Sequence, residues 1–138
     1  MSDYGLEQMR ADFARSPAIA AHQIEVMSFD EARGELTLRM PLTTIAERGG
    51  DPPMFHGGSI SLFIDVAGDF AVAMAIGGGV PTMNLRVDYL RPAFGPALTA
   101  VARARRIGRS VAVVDIDVQD TQDRLCSVGR GTYSTKVG

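Results

Sequence analysis

Along the second half of the chain apolar and polar residues alternate with a period of two, the spacing of half-buried strands. Met83, Leu85, Val87 and Tyr89 alternate with Asn84, Arg86 and Asp88 across 82–91, and Pro92 to Pro96 breaks the pattern. Leu98, Ala100, Ala102 and Ala104 then alternate with Val101, Arg103 and Arg105. Ile107-Gly108-Arg109 turns the chain, 110–119 runs back with Asp115 and Asp117 on one face, and 125–135 closes it after a turn at 120–124. This predicts a meander of about four strands, in which Arg103 and Arg105 pair with Asp115 and Asp117 across strands.

The first half mixes periods. Leu6, Met9 and Phe13 lie near helical spacing in 4–14, which predicts a short amphipathic helix within an N-terminal helical segment, 1–17. A hairpin follows, with strands over 22–29 and 35–40 around the turn at 30–34; His22 is read as a structural strand residue. Gly49-Gly50 and Pro52-Pro53 make 41–55 irregular. The most apolar stretch is 59–76, preceded by Gly57-Gly58 and ended by Gly77-Gly78-Gly79, and it predicts a long helix wrapped by other structure. Asp65 and Asp69 near its middle make it a poor membrane span.

Strands and one buried helix predict an α+β fold: an antiparallel sheet of about five to six strands wrapped around a long central helix. So apolar a helix, beside a sheet with free edges, predicts self-association. The 138 residues suit a single domain, 1–138, and a net charge of −2 gives no reason to expect nucleic acid or an anionic membrane surface as partner. Cys126 is the single cysteine, and no apolar run opens the chain, so a reducing, cytoplasmic setting is expected. No spacing of ligands predicts a metal site, and Cys126, with no base near it in sequence, is read as core.

The run His56-Gly57-Gly58-Ser59-Ile60-Ser61-Leu62-Phe63-Ile64-Asp65 resembles the hotdog-fold acyl-CoA thioesterases, in particular the phenylacetate-pathway (4-hydroxybenzoyl-CoA thioesterase-like) type. That family has His-Gly-Gly and then an acid seven residues past the second glycine. Tyr89-Leu90-Arg91-Pro92-Ala93 and Gly108-Arg109-Ser110 are similar to later family segments, and the order of elements agrees from about Ala18 to the C-terminus. The resemblance implies a hotdog fold, an acyl-CoA substrate, and no cofactor beyond the CoA of the substrate. It also implies a homodimer, arranged further as a dimer of dimers. Thr82 stands where the family has a Ser or Thr that positions the acid or the water. The chain departs from the pattern in having no asparagine shortly before His56; Gly50 or Asp51 lies about there.

Chemistry supports the same residues independently. Hydrolysis of a thioester builds negative charge on the carbonyl oxygen, and unpaired N–H groups at a helix N-terminus suit that charge. Glycine at 57 and 58 lets a substrate approach the backbone. Asp65 is the candidate base or nucleophile, tuned by burial among Phe63, Ile64 and Val66; Asp69, one turn on, is the less favoured acid. Gly57 and Asp65 lie roughly 12 Å apart along a helix, too far for one carbonyl to touch both. A two-fold dimer solves this by taking the donors from one chain and Asp65 from the other. Arg91 and Arg109 are candidates for CoA phosphates, with Arg106 a further one and Ser110 beside them. The competing functions are a non-catalytic acyl-CoA-binding protein and a hotdog hydratase or dehydratase. The latter needs a histidine paired with an acid, which the residues around His56 do not supply.

Overall fold

The computed structural model describes residues 3–136. In chain order the elements are α1 (Leu6–Arg15), α2 (Pro17–Ala21), β1 (Glu25–Asp30), β2 (Glu35–Pro41), β3 (Glu47–Gly49), β4 (Met54–Phe55), α3 (Gly57–Ile76), β5 (Thr82–Tyr89), β6 (Ala97–Ile107), β7 (Val111–Gln119) and β8 (Leu125–Ser134). Six strands form one antiparallel sheet in the order β1-β2-β6-β7-β8-β5, and β3 pairs with β4 in a separate small ribbon. The chain leaves the sheet after β2, crosses its inner face as α3, and re-enters at the far edge as β5. This is the helix-in-sheet arrangement expected from the sequence. The helix is long and apolar enough to cross a membrane by length and composition, but here it forms the core.

Side chains of period two line the inner face. Leu36, Leu38 and Met40 of β2, Leu98, Ala100 and Ala102 of β6, and Ala112, Val114, Ile116 and Val118 of β7 are all buried. They meet Ile60, Phe63, Ile64, Ala67, Phe70, Ala71 and Val72 from α3. Burying a side chain such as Phe63 or Ile64 stabilises the fold by about 1.5–3 kcal/mol. The contact with β8 is closest. A Cβ added at Gly129 would sit 2.5 Å from Ile64 Cγ2, and one at Gly68 would sit 2.0 Å from Tyr133 Oη. Tyr133 is fully buried there and donates a hydrogen bond to the Asp65 carbonyl at 3.3 Å. Burial, followed by the nearby Asp65 and Asp69 charges, pushes its hydroxyl far above the usual tyrosine range.

The outer face is a solvent face. In register across the sheet lie Glu35, Arg103, Asp115, Arg130 and Arg86. Arg103 pairs with Glu35 rather than with a β7 acid, because the residue facing it from β2 is within reach. Asp115 takes two hydrogen bonds from Arg130 and a longer contact of 3.6 Å from Arg105. The Arg130 bonds hold the Asp115 carboxyl below its usual range. Such exposed pairs add little stability; they keep this face wet.

Four expectations need correction. The N-terminal helical region does not stop at 17 but continues through α2, because Ser16 caps it and Pro17 suits its first turn. His22 therefore caps α2, and the first strand begins only at Glu25. The irregular 41–55 segment contains the β3–β4 ribbon, too short for periodicity to reveal. The long helix starts at Gly57, before Ser59, with His56 as its cap.

The α3–β8 seam yields a prediction. Gly68→Ala should destabilise the protein by about 1–3 kcal/mol, since the added methyl meets a buried ring with no room to move. Urea denaturation of the two proteins checks this.

Candidate active site

The N-terminus of α3 is fixed from both sides. Phe55 N–H donates to the Ala93 carbonyl at 2.8 Å, and His56 N–H donates to the Ala46 carbonyl at 2.7 Å. His56 is extended, and its Nδ1 accepts from Gly58 N–H at 2.9 Å. The ring is thus oriented by the helix it caps, without the asparagine that the resemblance calls for. The same bond consumes the Gly58 amide. Among the described residues Gly57 N–H has no partner, so one backbone donor, at the positive end of a twenty-residue helix, faces outward.

That donor opens into a cleft of about 600 Å³. Gly57, Gly58 and Ile60 of α3, Met54 and Phe55 of β4, and Tyr89 to Ala93 line it, with Arg48 and Arg91 at its rim. Tyr89 was not singled out as a site residue from the sequence, although it begins the Tyr-Leu-Arg-Pro segment. Its hydroxyl donates to the Gly57 carbonyl at 2.7 Å and shares a short hydrogen bond with Ser61 Oγ. Tyr89 therefore ties the end of β5 to the first turn of α3. Arg48 was missed as well, since a lone arginine in a loop carries no periodic signal.

Asp65 lies two turns further along α3 and does not line this cleft. Its Oδ1 accepts from Thr82 Oγ1 at 2.7 Å, so the sequence-selected acid and hydroxyl do meet. The expected burial of Asp65 is not present within one chain. Phe63 and Ile64 point into the sheet and are fully buried, while Asp65 and Val66 occupy the half-exposed flank of the helix. Asp69, on the same flank, is the more enclosed acid. Its Oδ1 accepts from Val80 N–H at 2.8 Å. Burial pushes its carboxyl up to about 6; the Val80 bond opposes this, and the Asp65 charge adds to the rise.

Arg109 and Ser110 do not reach the cleft. They form the β6–β7 turn, where Thr135 N–H donates to the Ser110 carbonyl. Ser134 N–H donates to the Pro81 carbonyl, so this turn sits at the Thr82 end of β5. Arg91 sits at the opposite, Tyr89 end. The candidate residues of one chain thus fall into two groups: a donor group with His56, Gly57, Gly58 and Arg91, and an acid group with Asp65 and Thr82. β5 runs between them.

A buried pair behind the donor group also escaped the sequence. His22 and Ser59 are both buried, and Nε2 lies 3.0 Å from Ser59 Oγ. Nδ1 lies 2.9 Å from the Ala18 carbonyl, which can only accept, so Nδ1 carries the proton and Ser59 donates to Nε2. This bond pins α2 to the first turn of α3 across 37 residues of sequence, a separation no local pattern reports. Cys126 is buried as expected, and burial raises its thiol pKa.

Comparison with known proteins places these observations in a family. The sequence model of the thioesterase superfamily matches residues 53–127, which span the donor loop, α3 and most of the meander. A candidate esterase of Halobacterium salinarum is 37% identical over 118 residues, covering 75% of this chain and 76% of the relative. The Escherichia coli acyl-coenzyme A thioesterase PaaI is 29% identical over 140 residues, covering 100% of this chain and 95% of the relative. The solved structure of E. coli PaaI, from the phenylacetic acid degradation operon, superposes with a TM-score of 0.82 at 26% identity, covering 96% of this chain and 92% of that one. Another solved thioesterase-superfamily protein superposes with a TM-score of 0.86 at 30% identity, covering 94% and 96% of the two chains.

The His22–Ser59 bond predicts a double-mutant result. His22→Leu should cost about 1–3 kcal/mol, because it strands a buried hydroxyl. Adding Ser59→Ala should recover part of that loss, as measured by chemical denaturation of both single variants and the pair.

Proposed function

The chain belongs to the thioesterase superfamily, and from that premise we propose that it hydrolyses acyl-CoA thioesters in sites shared between two copies of itself. The observation that carries this reading is the placement of the two half-sites at opposite ends of β5. β5 is an edge strand with an unpaired side, and Met83, Tyr89 and Leu90 on or beside it are more than half exposed. Two β5 edges paired antiparallel about a two-fold axis set the Thr82 end of one chain against the Tyr89 end of the other. Each Gly57 N–H then faces a partner's Asp65, and the half-exposed flank of α3 becomes covered.

In that arrangement the acyl group lies between α3 of one chain and the sheet of the other. Gly57 N–H donates to the thioester oxygen as it becomes an oxyanion, and Gly58 leaves room for the approach. Asp65, held by Thr82, removes a proton from a water that adds to the carbonyl carbon, or adds to that carbon itself, in which case water hydrolyses the mixed anhydride left after CoA departs. The C–S bond breaks, CoA leaves as thiolate and takes up a proton, and the free acid follows. His56 serves as the cap that presents Gly57. Arg91 on the donor side, and Arg109 with Ser110 on the acid side of the partner, flank the same composite site and suit CoA phosphates. A cytoplasmic setting fits a CoA-ester substrate and a buried free thiol.

The pairing of His56 with a backbone amide, rather than with a carboxylate, counts against a hydratase. The binding-only alternative is separated by assay. Thiol release from a panel of aromatic and aliphatic CoA esters should show turnover, and Asp65→Asn should lower kcat by about two to four decades while substrate still binds. Near-normal turnover in that variant would remove Asp65 from the mechanism.

The shared site has its own test. Light scattering should give at least a dimer at micromolar concentration. Gly57→Pro removes the donor at a position where proline is tolerated, and homodimers of this variant should be as inactive as those of Asp65→Asn. Statistical mixing of the two should restore about a quarter of wild-type activity, through one intact composite site per mixed dimer. Verified mixed dimers without activity would place both halves in one chain. Arg91→Ala should raise KM more than it lowers kcat, because a phosphate contact is equal in ground and transition states.

A further inference from the structure

Two carboxylates on α3 grip the start of β5 in parallel. Asp65 and Asp69 are one turn apart, about 6 Å at the helical rise. Thr82 and Val80 are two residues apart, about 6.6 Å at the strand rise. The two spacings match, so both bonds form together: Asp65 accepts from the Thr82 hydroxyl at 2.7 Å and Asp69 from the Val80 amide at 2.8 Å. Between the end of α3 at Gly77 and the first strand residue lie only Gly78, Gly79, Val80 and Pro81. Two of these are glycines with little preference of their own, so the approach of Thr82 is set by what holds Val80.

We propose that Asp69 is a positioning residue for thioester hydrolysis: through Val80 it places Thr82, and Thr82 in turn aims the Asp65 carboxylate. This rests on Asp65 being the carboxylate of the reaction. Asp69 itself touches no substrate. The surroundings of Asp69 bear the assignment out. Asp65 faces it from the same helix, Tyr133 from β8, and Tyr4 from the N-terminal segment, where Tyr4 is bonded to Asp12 near Arg15. Among the described residues Arg15 is the cation of this group, and it acts on Tyr4 rather than on Asp69. An ionised Asp69 is therefore disfavoured by its burial and by Asp65, and is compensated chiefly by the Val80 amide. Carboxylates perturbed in this way cluster at functional sites, which adds to the geometry of the two bonds.

The sign of the pH dependence follows. The folded-state pKa, about 6, lies above the ordinary aspartate value of 3.8, so the fold favours the protonated form. Stability from this group is complete below about pH 4 and is lost as the pH rises through about 6. The strength of the Val80 clamp runs the other way, since the ionised carboxylate is the better acceptor.

The experiment compares Asp69→Asn, Asp69→Ala and Asp65→Asn in the full chain, with thiol release from the best ester of the panel. Asp69→Ala loses the acceptor, and kcat should fall about tenfold with KM nearly unchanged. Asp69→Asn keeps an acceptor, so its kcat should stay within about threefold of wild type at neutral pH. Wild-type kcat should decline as the pH falls through about 6 and that of Asp69→Asn should not, and the melting temperature of Asp69→Asn should exceed that of wild type at pH 8 and converge with it below about pH 4. Wild-type kcat and pH profile in Asp69→Ala, alongside a dead Asp65→Asn, would overturn the positioning role and leave the thioesterase reading intact. Equal losses in the two Asp69 variants would also overturn it, because an acceptor at 69 would then not matter. If Asp69→Ala does not fold, an unchanged pH 6 inflection in Asp69→Asn decides against the proposal. An active Asp65→Asn overturns the parent reading instead.

Discussion

The close approach of α3 to β8 is the constraint on which the rest of the molecule depends. Gly68 on the helix and Gly129 and Gly131 on the strand leave no Cβ between the two backbones, and Ile64 and Tyr133 fill the seam. A helix held this near the sheet cannot rotate about its axis without driving a side chain into backbone. Its rotation decides which residues face inward. Phe63, Ile64 and Ala67 go to the sheet, and Asp65 and Asp69 are left on the flank beside β5. The position of the acids is thus a consequence of packing elsewhere.

The same rotation makes β5 a strut between the two groups of candidate residues. At one end it is tied to α3 by Thr82 and Val80, and at the other by Tyr89, whose hydroxyl meets the Gly57 carbonyl. Each tie satisfies a polar group that would otherwise lie poorly solvated beside an apolar helix. The amide of Gly57 is left unpaired by this network, while that of Gly58 is used by His56. A cap that fills one donor and leaves the next one open turns an ordinary helix start into a place for an anion.

The two faces of the sheet divide the labour. Outside, Glu35, Arg103, Asp115 and Arg130 keep a charged surface in water. Along the β5 edge, Met83, Tyr89 and Leu90 stay exposed in one chain beside the half-covered flank of α3. In the arrangement proposed for the shared site, a wet face and an apolar edge favour association through the edge, and that contact would also join the donor half to the acid half.

Periodicity made the architecture legible. The helical run from 59 to 76, the alternation in β5 to β7, and the glycine and proline breaks are local signals, and each element they predict is present. The pairing of Asp65 with Thr82 was legible too, through a resemblance resting on residue types and spacing. Contacts that join distant segments were not. The His22–Ser59 bond, the Asp69–Val80 clamp and the Arg103–Glu35 pair depend on which strand becomes whose neighbour, and hydrophobic pattern alone does not settle that order. The burial of Asp65 was overestimated for the same reason: sequence places an acid among apolar neighbours, but a helix sends successive side chains in different directions. Residue chemistry and period thus determined the elements and the candidate groups, while tertiary packing decided their facing, partners and exposure, because those are set by the rotation of one helix against one sheet.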